Sequence, residues 1–254
     1  RSDLGHFYHR KQCTSHVYKR SLLKCAESLG VRTRDVELPE SVTQQEAEAS
    51  LRALSDDPAV TGILPLMPVP PQIKQMTLMS CLDPKKDMDC SILEQWEFYL
   101  GISPWGPCTP RACIALLDYY HIPLVGKRVV MVGYGDVVGR PLTLMLVVAH
   151  ATVTVCRSKT KNLPNILSQA DVFDAVGKPN FITEDMVREN CVLVDIGFLL
   201  DGKMVGDISE GAKLKKAAAY TPVPGGVGVL SNLMVMETLS GTFDQRSYLV
   251  LSLF

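Results

Sequence analysis

This chain of 254 residues lacks most of the features that announce a function at first sight. It has no excess of charge: 26 Lys and Arg face 27 Asp and Glu, a net of −1. A general attraction to nucleic acid or to anionic lipid is thereby excluded, and any anionic ligand needs a local site. There is no long hydrophobic run either. The longest, Leu142 to Cys156, contains His150 and falls short of the ~20 residues a membrane span needs. The eight cysteines are scattered with no C-x-x-C pair, and the five histidines show no ligand-like spacing, so a metal site is not expected. Several cysteines sit inside apolar stretches, as Cys156 does, which suits small hydrophobes in a reducing, intracellular compartment. Repeats and low-complexity segments are absent, and no signal peptide is legible. The expected localisation is cytoplasmic, or organellar if a leader precedes Arg1, because the chain opens without Met.

What is present is a soluble composition, 46% hydrophobic and 21% charged, with one stretch around which the rest is organised. From Lys127 to Thr160 the sequence reads strand, glycine turn, helix, strand. Arg128 to Val132 is a β-branched run fit for a strand buried on both faces. Gly133, Gly135 and Gly139 allow a tight turn and close approach of a ligand, and Pro141 fits a first helical turn. A helix over Leu142 to Ala149 and a strand over Ala151 to Cys156 complete a βαβ unit of the dinucleotide-binding kind. Where such a unit bears an acidic residue for the ribose of NAD, this chain carries Arg157, Ser158, Lys159 and Thr160. That cluster suits the extra phosphate of NADP, NAD being the lesser expectation; the alternative is an exposed basic turn.

Before this stretch, Val17 to Gly30 reads as a helix, Val31 to Leu38 as a strand, and Val42 to Leu54 as a helix capped by Ser41 and Gln44. Asp57-Pro58 breaks it, and Val60 to Leu64 is a short buried strand. The proline-dense Pro65 to Pro71 is either a ligand loop at a strand end or a stiff connector. Asp87 and Asp89 either meet a cation or a guanidine-like donor edge, or lie in a solvated loop. Trp96 to Cys108 reads as a loop, Thr109 as a cap, and Arg111 to Tyr120 as a helix. After Thr160, strands are expected at Ala170 to Val176, Cys191 to Ile196 and Ala217 to Thr221, the last of the chain. Helices are expected at Glu184 to Asn190 and Val229 to Leu239, and the tail to Phe254 carries no signal. The fold class is α/β in two domains: 1–110 with a closing helix in 229–254, and a Rossmann-like 111–228, with a cleft between them.

Taken together, GKRVVMVGYGDVVGRPL, ATVTVCRSKT, AVGKP, VLVDIG, KMVGDI and TPVPGGVG resemble the bifunctional methylenetetrahydrofolate dehydrogenase/cyclohydrolase family. Upstream, SHVYKRSLLKCAESLG, GILPLMPVP, DPKKDMD and GPCTPRA extend the resemblance over about Ser15 to Leu239. The resemblance implies oxidation of methylenetetrahydrofolate with NAD(P), hydrolysis of the methenyl product, a homodimer, and roles in one-carbon metabolism and purine biosynthesis. It implies a folate-binding catalytic domain beside the Rossmann-like one.

Residue by residue, the resemblance places Tyr18 on the folate's aromatic ring and Asp89 on the pterin. It adds Pro65, Met67 and Pro224, Gly225, Gly226, Val227 and Gly228 to the substrate site. It assigns Gly133, Tyr134, Gly135, Gly139, Ser158 and Phe198 to the cofactor. The family's catalytic lysine position is Leu22 here, and the position of its supporting glutamine is Leu66. Hydride loss from a carbon between two nitrogens needs alignment above all, whereas hydrolysis needs a polar group to activate water. Three functions follow: a dehydrogenase with weak or absent cyclohydrolase activity, a full bifunctional enzyme, or a binding protein in a regulatory or assembly role. Leu22, Leu66, Cys90, Gly135 and the strand charge Asp174 point towards the third, and Lys19 or Lys24 could stand in for the lost lysine.

Overall fold

The computed structural model describes residues 13–67, 69–90, 106–174, 176–200, 203–241 and 248–251. In chain order the elements are α1 (Cys13–Ser28), β1 (Thr33–Asp35), α2 (Gln44–Asp56), β2 (Val60–Leu64) and α3 (Gln75–Met79). Then come α4 (Cys108–Tyr119), β3 (Arg128–Val132), α5 (Gly139–Val148), β4 (Thr152–Cys156), α6 (Leu163–Leu167) and β5 (Asp171–Asp174). The chain continues through β6 (Cys191–Asp195), β7 (Phe198–Leu200), β8 (Lys203–Val205), α7 (Glu210–Lys216), β9 (Ala217–Tyr220), α8 (Val227–Gly241) and β10 (Tyr248–Leu251). They form two compact units, Arg1–Glu97 with Asn232–Phe254, and Phe98–Ser231.

In the first unit, Ala47, Leu51 and Leu54 make the apolar stripe of α2 and pack with Val60 and Ile63 of β2 and Leu78 and Met79 of α3. The cap of α2 is Thr43 with Glu46, not Ser41 with Gln44. Glu46 Oε2 accepts from Thr43 N (2.8 Å) and Oγ1 (2.7 Å), and Glu46 N donates to Thr43 Oγ1 (3.3 Å). Val42 decides the register: it is buried beside Ala47, the staple pair that flanks such a box, so the helix begins just after it. The strand expected over Val31 to Leu38 shrinks to β1, because its partner β10 pairs only with Thr33–Asp35. The sheet is parallel in the order β1-β10-β2, so a strand from the tail lies in its middle. Ala217 to Thr221 is therefore not the last strand.

The second unit is built on a five-stranded parallel sheet ordered β4-β3-β5-β6-β9. Its core joins Val130 and Val132 of β3 to Leu167, Ile182, Cys191, Leu193, Ile208 and Ala212. From β3 the chain moves to one neighbour, β4, and then crosses to the other, β5. The reversal makes the carboxyl ends of β3 and β5 the topological switch point, where open α/β sheets collect ligands. An antiparallel hairpin, β7 with β8, was not legible in the sequence pattern. The helix expected at Glu184 to Asn190 is only a short 3-10 turn, Glu184–Met186. Val187 is extended (φ −112°, ψ 150°) and Asn190 is left-handed (φ +56°), so the helical path stops, and the Arg188 guanidinium bonds Asp171 (2.6 Å) and the carbonyls of Glu189 and Asn190. Helix α4 begins at Cys108 with Pro107 as its cap, so Thr109 lies inside the helix and not before it. Most of the Trp96 to Cys108 loop lies outside the described residues.

Candidate active site

The glycine loop after β3 is stitched at both ends. Gly133 N donates to the Cys156 carbonyl (2.9 Å), and Arg140 N to that of Gly135 (2.9 Å). Gly133 has φ +97°, a left-handed conformation that side chains resist. At Gly139 a Cβ would lie 2.5 Å from the Gly133 carbonyl oxygen, so only glycine lets α5 start so close to the strand. Gly135 is different: a Cβ there meets nothing within 4 Å, and space alone does not require glycine. Two guanidiniums stand over the Tyr134 ring, Arg140 at 5.5 Å and Arg157 at 5.7 Å from its centre. Arg140 is also paired with Asp136 at 2.8 Å.

At the end of β4, Arg157 to Thr160 close a turn: Arg157 N donates to Thr160 Oγ1 and Thr160 N to the Arg157 carbonyl, both 2.8 Å. Ser158 and Lys159 are exposed at its tip. Across the switch point, Val176 to Lys178 follow β5. Val176 N and Gly177 N donate to Asp207 Oδ2 (3.0 and 2.9 Å), and Lys178 N to Oδ1 (2.6 Å). Phe198 opens β7 near this loop: a Cβ at Gly177 would lie 3.8 Å from its ring. Pro224 follows a cis bond, Gly225 has φ +106°, and Val227 and Gly228 begin α8. Gly226 is confined by the Pro222 carbonyl, 2.5 Å from where a Cβ would stand.

In the first unit, Tyr18 is half-buried on α1 and Leu22 is 0% exposed one turn on. Lys19, Leu22 and Ala26 form the buried stripe of the helix. Lys19 pairs with the buried carboxylate of Asp35 at 3.1 Å. Burial pulls its ammonium down to about 8, and the charge of Glu37 pushes back. Lys24 is exposed. After β2, Pro65 and Leu66 are buried, Leu66 at 5%, and Met67 packs on the α2 core. Pro68 lies outside the described residues. The loop of Asp89 is anchored: Lys86 Nζ donates to the Ser55 (2.6 Å) and Asp57 (2.8 Å) carbonyls, and Asp83 N to Ser55 Oγ (2.6 Å). Asp87 is buried and accepts from Asp89 N (3.2 Å), so this is not a solvated loop. Cys90 is buried with φ +47°, the conformation glycine would take without strain.

Of the groups the sequence did not single out, Asp195, Asp207 and Lys213 are the most consequential. Asp195 takes Asp207 N on Oδ1 (3.0 Å), and Ile208 N (3.1 Å) and Lys213 Nζ (2.9 Å) on Oδ2. All three side chains are buried to 2% exposure or less. The available signal was the acidic residues in VLVDIG and KMVGDI, which pattern alone does not tie to a lysine on a later helix. Burial pushes the thiol of Cys113 up to about 12, and those of Cys25, Cys81, Cys156 and Cys191 upward as well, so they are poor nucleophiles. Among the described residues no helix is long and apolar enough to cross a membrane.

Comparison with known proteins agrees with this geometry. The family model "Tetrahydrofolate dehydrogenase/cyclohydrolase, NAD(P)-binding domain" matches residues 107–247, and its catalytic-domain counterpart matches residues 2–89. "Bifunctional protein FolD" of Cellvibrio japonicus is 41% identical over 83% of this chain and 76% of its own length. The bifunctional FolD structure from Campylobacter jejuni is 37% identical with a TM-score of 0.83, covering 90% of this chain and 83% of that one. The Trypanosoma brucei methylenetetrahydrofolate dehydrogenase-cyclohydrolase, solved with NADP and an inhibitor, is 30% identical with a TM-score of 0.86, covering 95% and 85%. Two matched halves in this order, on a two-domain α/β fold, make this chain a member of the tetrahydrofolate dehydrogenase/cyclohydrolase family.

Proposed function

We propose that the chain is an NADP-dependent methylenetetrahydrofolate dehydrogenase whose cyclohydrolase step is lost or weak. The first unit holds the folate through Tyr18, Asp89 and the Pro65–Met67 turn. The second holds the cofactor at the switch point. The observation that carries the cofactor half is the Gly139 approach: a Cβ would fill the space, and the loop beside it carries Ser158 and Arg157 on a closed turn. These residues fit a dinucleotide bearing an extra phosphate. When bound, the cofactor would supply an oxidised nicotinamide as the hydride acceptor. Gly133, Tyr134, Gly135 and Gly139 would hold it with backbone and ring surface, Ser158 would meet its phosphate, and Phe198 would border its nicotinamide end. The Trypanosoma brucei relative solved with NADP supports the cofactor part of this reading. A homodimer is part of it.

Loss of hydride leaves a cation shared by two nitrogens, so the protein's task in that step is alignment. Hydrolysis asks for more, a polar group that activates water. Leu22 and Leu66 offer none and are both buried, and Lys19, buried on α1 as Leu22 is, is engaged with Asp35. The same pair of leucines favours one second reading, a family member that binds folate and nucleotide without turnover. The deciding experiment supplies purified protein with methylenetetrahydrofolate and NADP or NAD, and follows reduced cofactor and methenyl product separately. Reduced cofactor with accumulating methenyl product is the expected result. No turnover by folded protein with either cofactor leaves the binding role, and rapid hydrolysis of the methenyl product overturns the account of Leu22 and Leu66.

A further inference from the structure

The three donors on Asp207 have no role in the chemistry outlined above. A buried carboxyl group that takes three consecutive backbone N–H groups fixes the path of that backbone, because losing the acceptor would strand three donors at once. The backbone it fixes is Val176 to Lys178, and this segment follows β5 on one side of the switch point. On the other side lies the loop after β3, and Val132 and Asp174 are register partners, so the two strands end level with each other. The basic turn Arg157 to Thr160 stands one strand further on, after β4, away from β5. A dinucleotide with its phosphorylated ribose at that turn therefore extends its other end over β5.

We propose that Asp207 is the positioning residue that seats the nicotinamide end of the cofactor, by holding the Val176–Lys178 loop in shape. It is itself held: its own N–H is on Asp195, whose second oxygen binds Lys213 of α7. The loop contains Gly177 at φ +72°, where an added Cβ would lie 3.8 Å from the Phe198 ring, and glycine by itself does not fix that conformation. The carboxylate never touches the substrate, and its effect runs through backbone alone. The proposal rests on the cofactor reading given above.

Its test uses two ligands, NADPH and adenosine 2′,5′-bisphosphate, which keeps the phosphorylated end and lacks the nicotinamide. Both are titrated calorimetrically into the full chain and into Asp207→Asn, whose amide puts a donor where an acceptor is needed. The expected result is a loss of about tenfold or more in NADPH affinity, with the bisphosphate unchanged within about twofold. Should Asp207→Asn fail to fold, Gly177→Ala, which disfavours the same left-handed turn, carries the same expectation. Equal weakening of both ligands, or weakening of neither, overturns the role of Asp207 while leaving the cofactor reading intact. A wild-type chain that binds neither nucleotide overturns the cofactor reading, and the role of Asp207 with it.

Discussion

The two units treat buried polar groups in opposite ways. In the second, the polar side chains of Asp195, Asp207 and Lys213 lie at 2% exposure or less, and each is met by a partner on another segment. In the first, Leu22 and Leu66 stand where the family resemblance places a lysine and a glutamine, and both are packed away from water. A polar group that organises backbone cannot be removed without stranding its partners. One that serves only the chemistry can become apolar, with no partner left behind and some apolar area buried in exchange. Lys19 and Asp35 show that the first unit has not simply shed its polar groups; it keeps a buried ammonium–carboxylate pair.

This contrast can be broken in several ways, and the largest expected effect concerns the sheet of the first unit. Deleting residues 242–254 takes β10 out from between β1 and β2. The first unit is expected to lose cooperative melting and become protease-sensitive, while NADPH binding by the second survives. Two intact melting transitions would sink the idea that the tail strand is integral. Next in size is Lys213→Met, which leaves the Asp195 carboxylate buried without its ammonium and is expected to cost about 3–5 kcal/mol in denaturant unfolding. Adding Asp195→Asn should recover part of it, and failure to do so would mean the loss is one of packing.

Leu22→Lys tests the other side. An ammonium placed at a fully buried site is expected to destabilise by about 2–3 kcal/mol and to leave methenyl hydrolysis near background, since Leu66 gives it no polar neighbour. Only the double change with Leu66→Gln is expected to restore measurable hydrolysis, so a large gain from the single change would refute the partnership. The smallest effect is at Thr43→Ala, about 1 kcal/mol. Hydrogen bonds from Thr43 hold the Glu46 carboxyl below its ordinary 4.5. A carboxyl depressed by folding contributes fully above its unfolded value and loses that contribution as pH falls through the folded one. The gap between wild type and Thr43→Ala should therefore narrow in acid, and a gap independent of pH would show that Glu46 is not engaged.

The sequence disclosed the second unit better than the first, for reasons that are local. Arg128–Val132 and Val60–Leu64 were legible to the residue, because a buried parallel strand is a continuous apolar run. The order of the elements in the Lys127 to Thr160 stretch follows from glycines with a steric duty, as Gly139 has. What stayed hidden depends on pairing at a distance. Nothing in Tyr248–Leu251 announces that it will pair with Thr33–Asp35 and with Val60–Leu64, and nothing in Lys213 announces Asp195. The helical stretch expected at Glu184 to Asn190 likewise stops at the extended Val187, and next to it Arg188 reaches Asp171, which no local pattern records. In the candidate site, Leu22 and Leu66 were conspicuous only against the resemblance, and their depth of burial came from the fold.

The middle position of β10 has a consequence for how the chain is made. Its partners β1 and β2 leave the ribosome early, yet the strand that joins them emerges only after all of the second unit. The second unit is continuous in sequence and can close as soon as it is synthesised, while the first must wait with two unjoined strand edges exposed. Its pairings span most of the chain's length, the kind that form slowly. During that interval β1 and β2 are open to any stray strand, so the newly made first unit is the part of this protein that has most need of a chaperone.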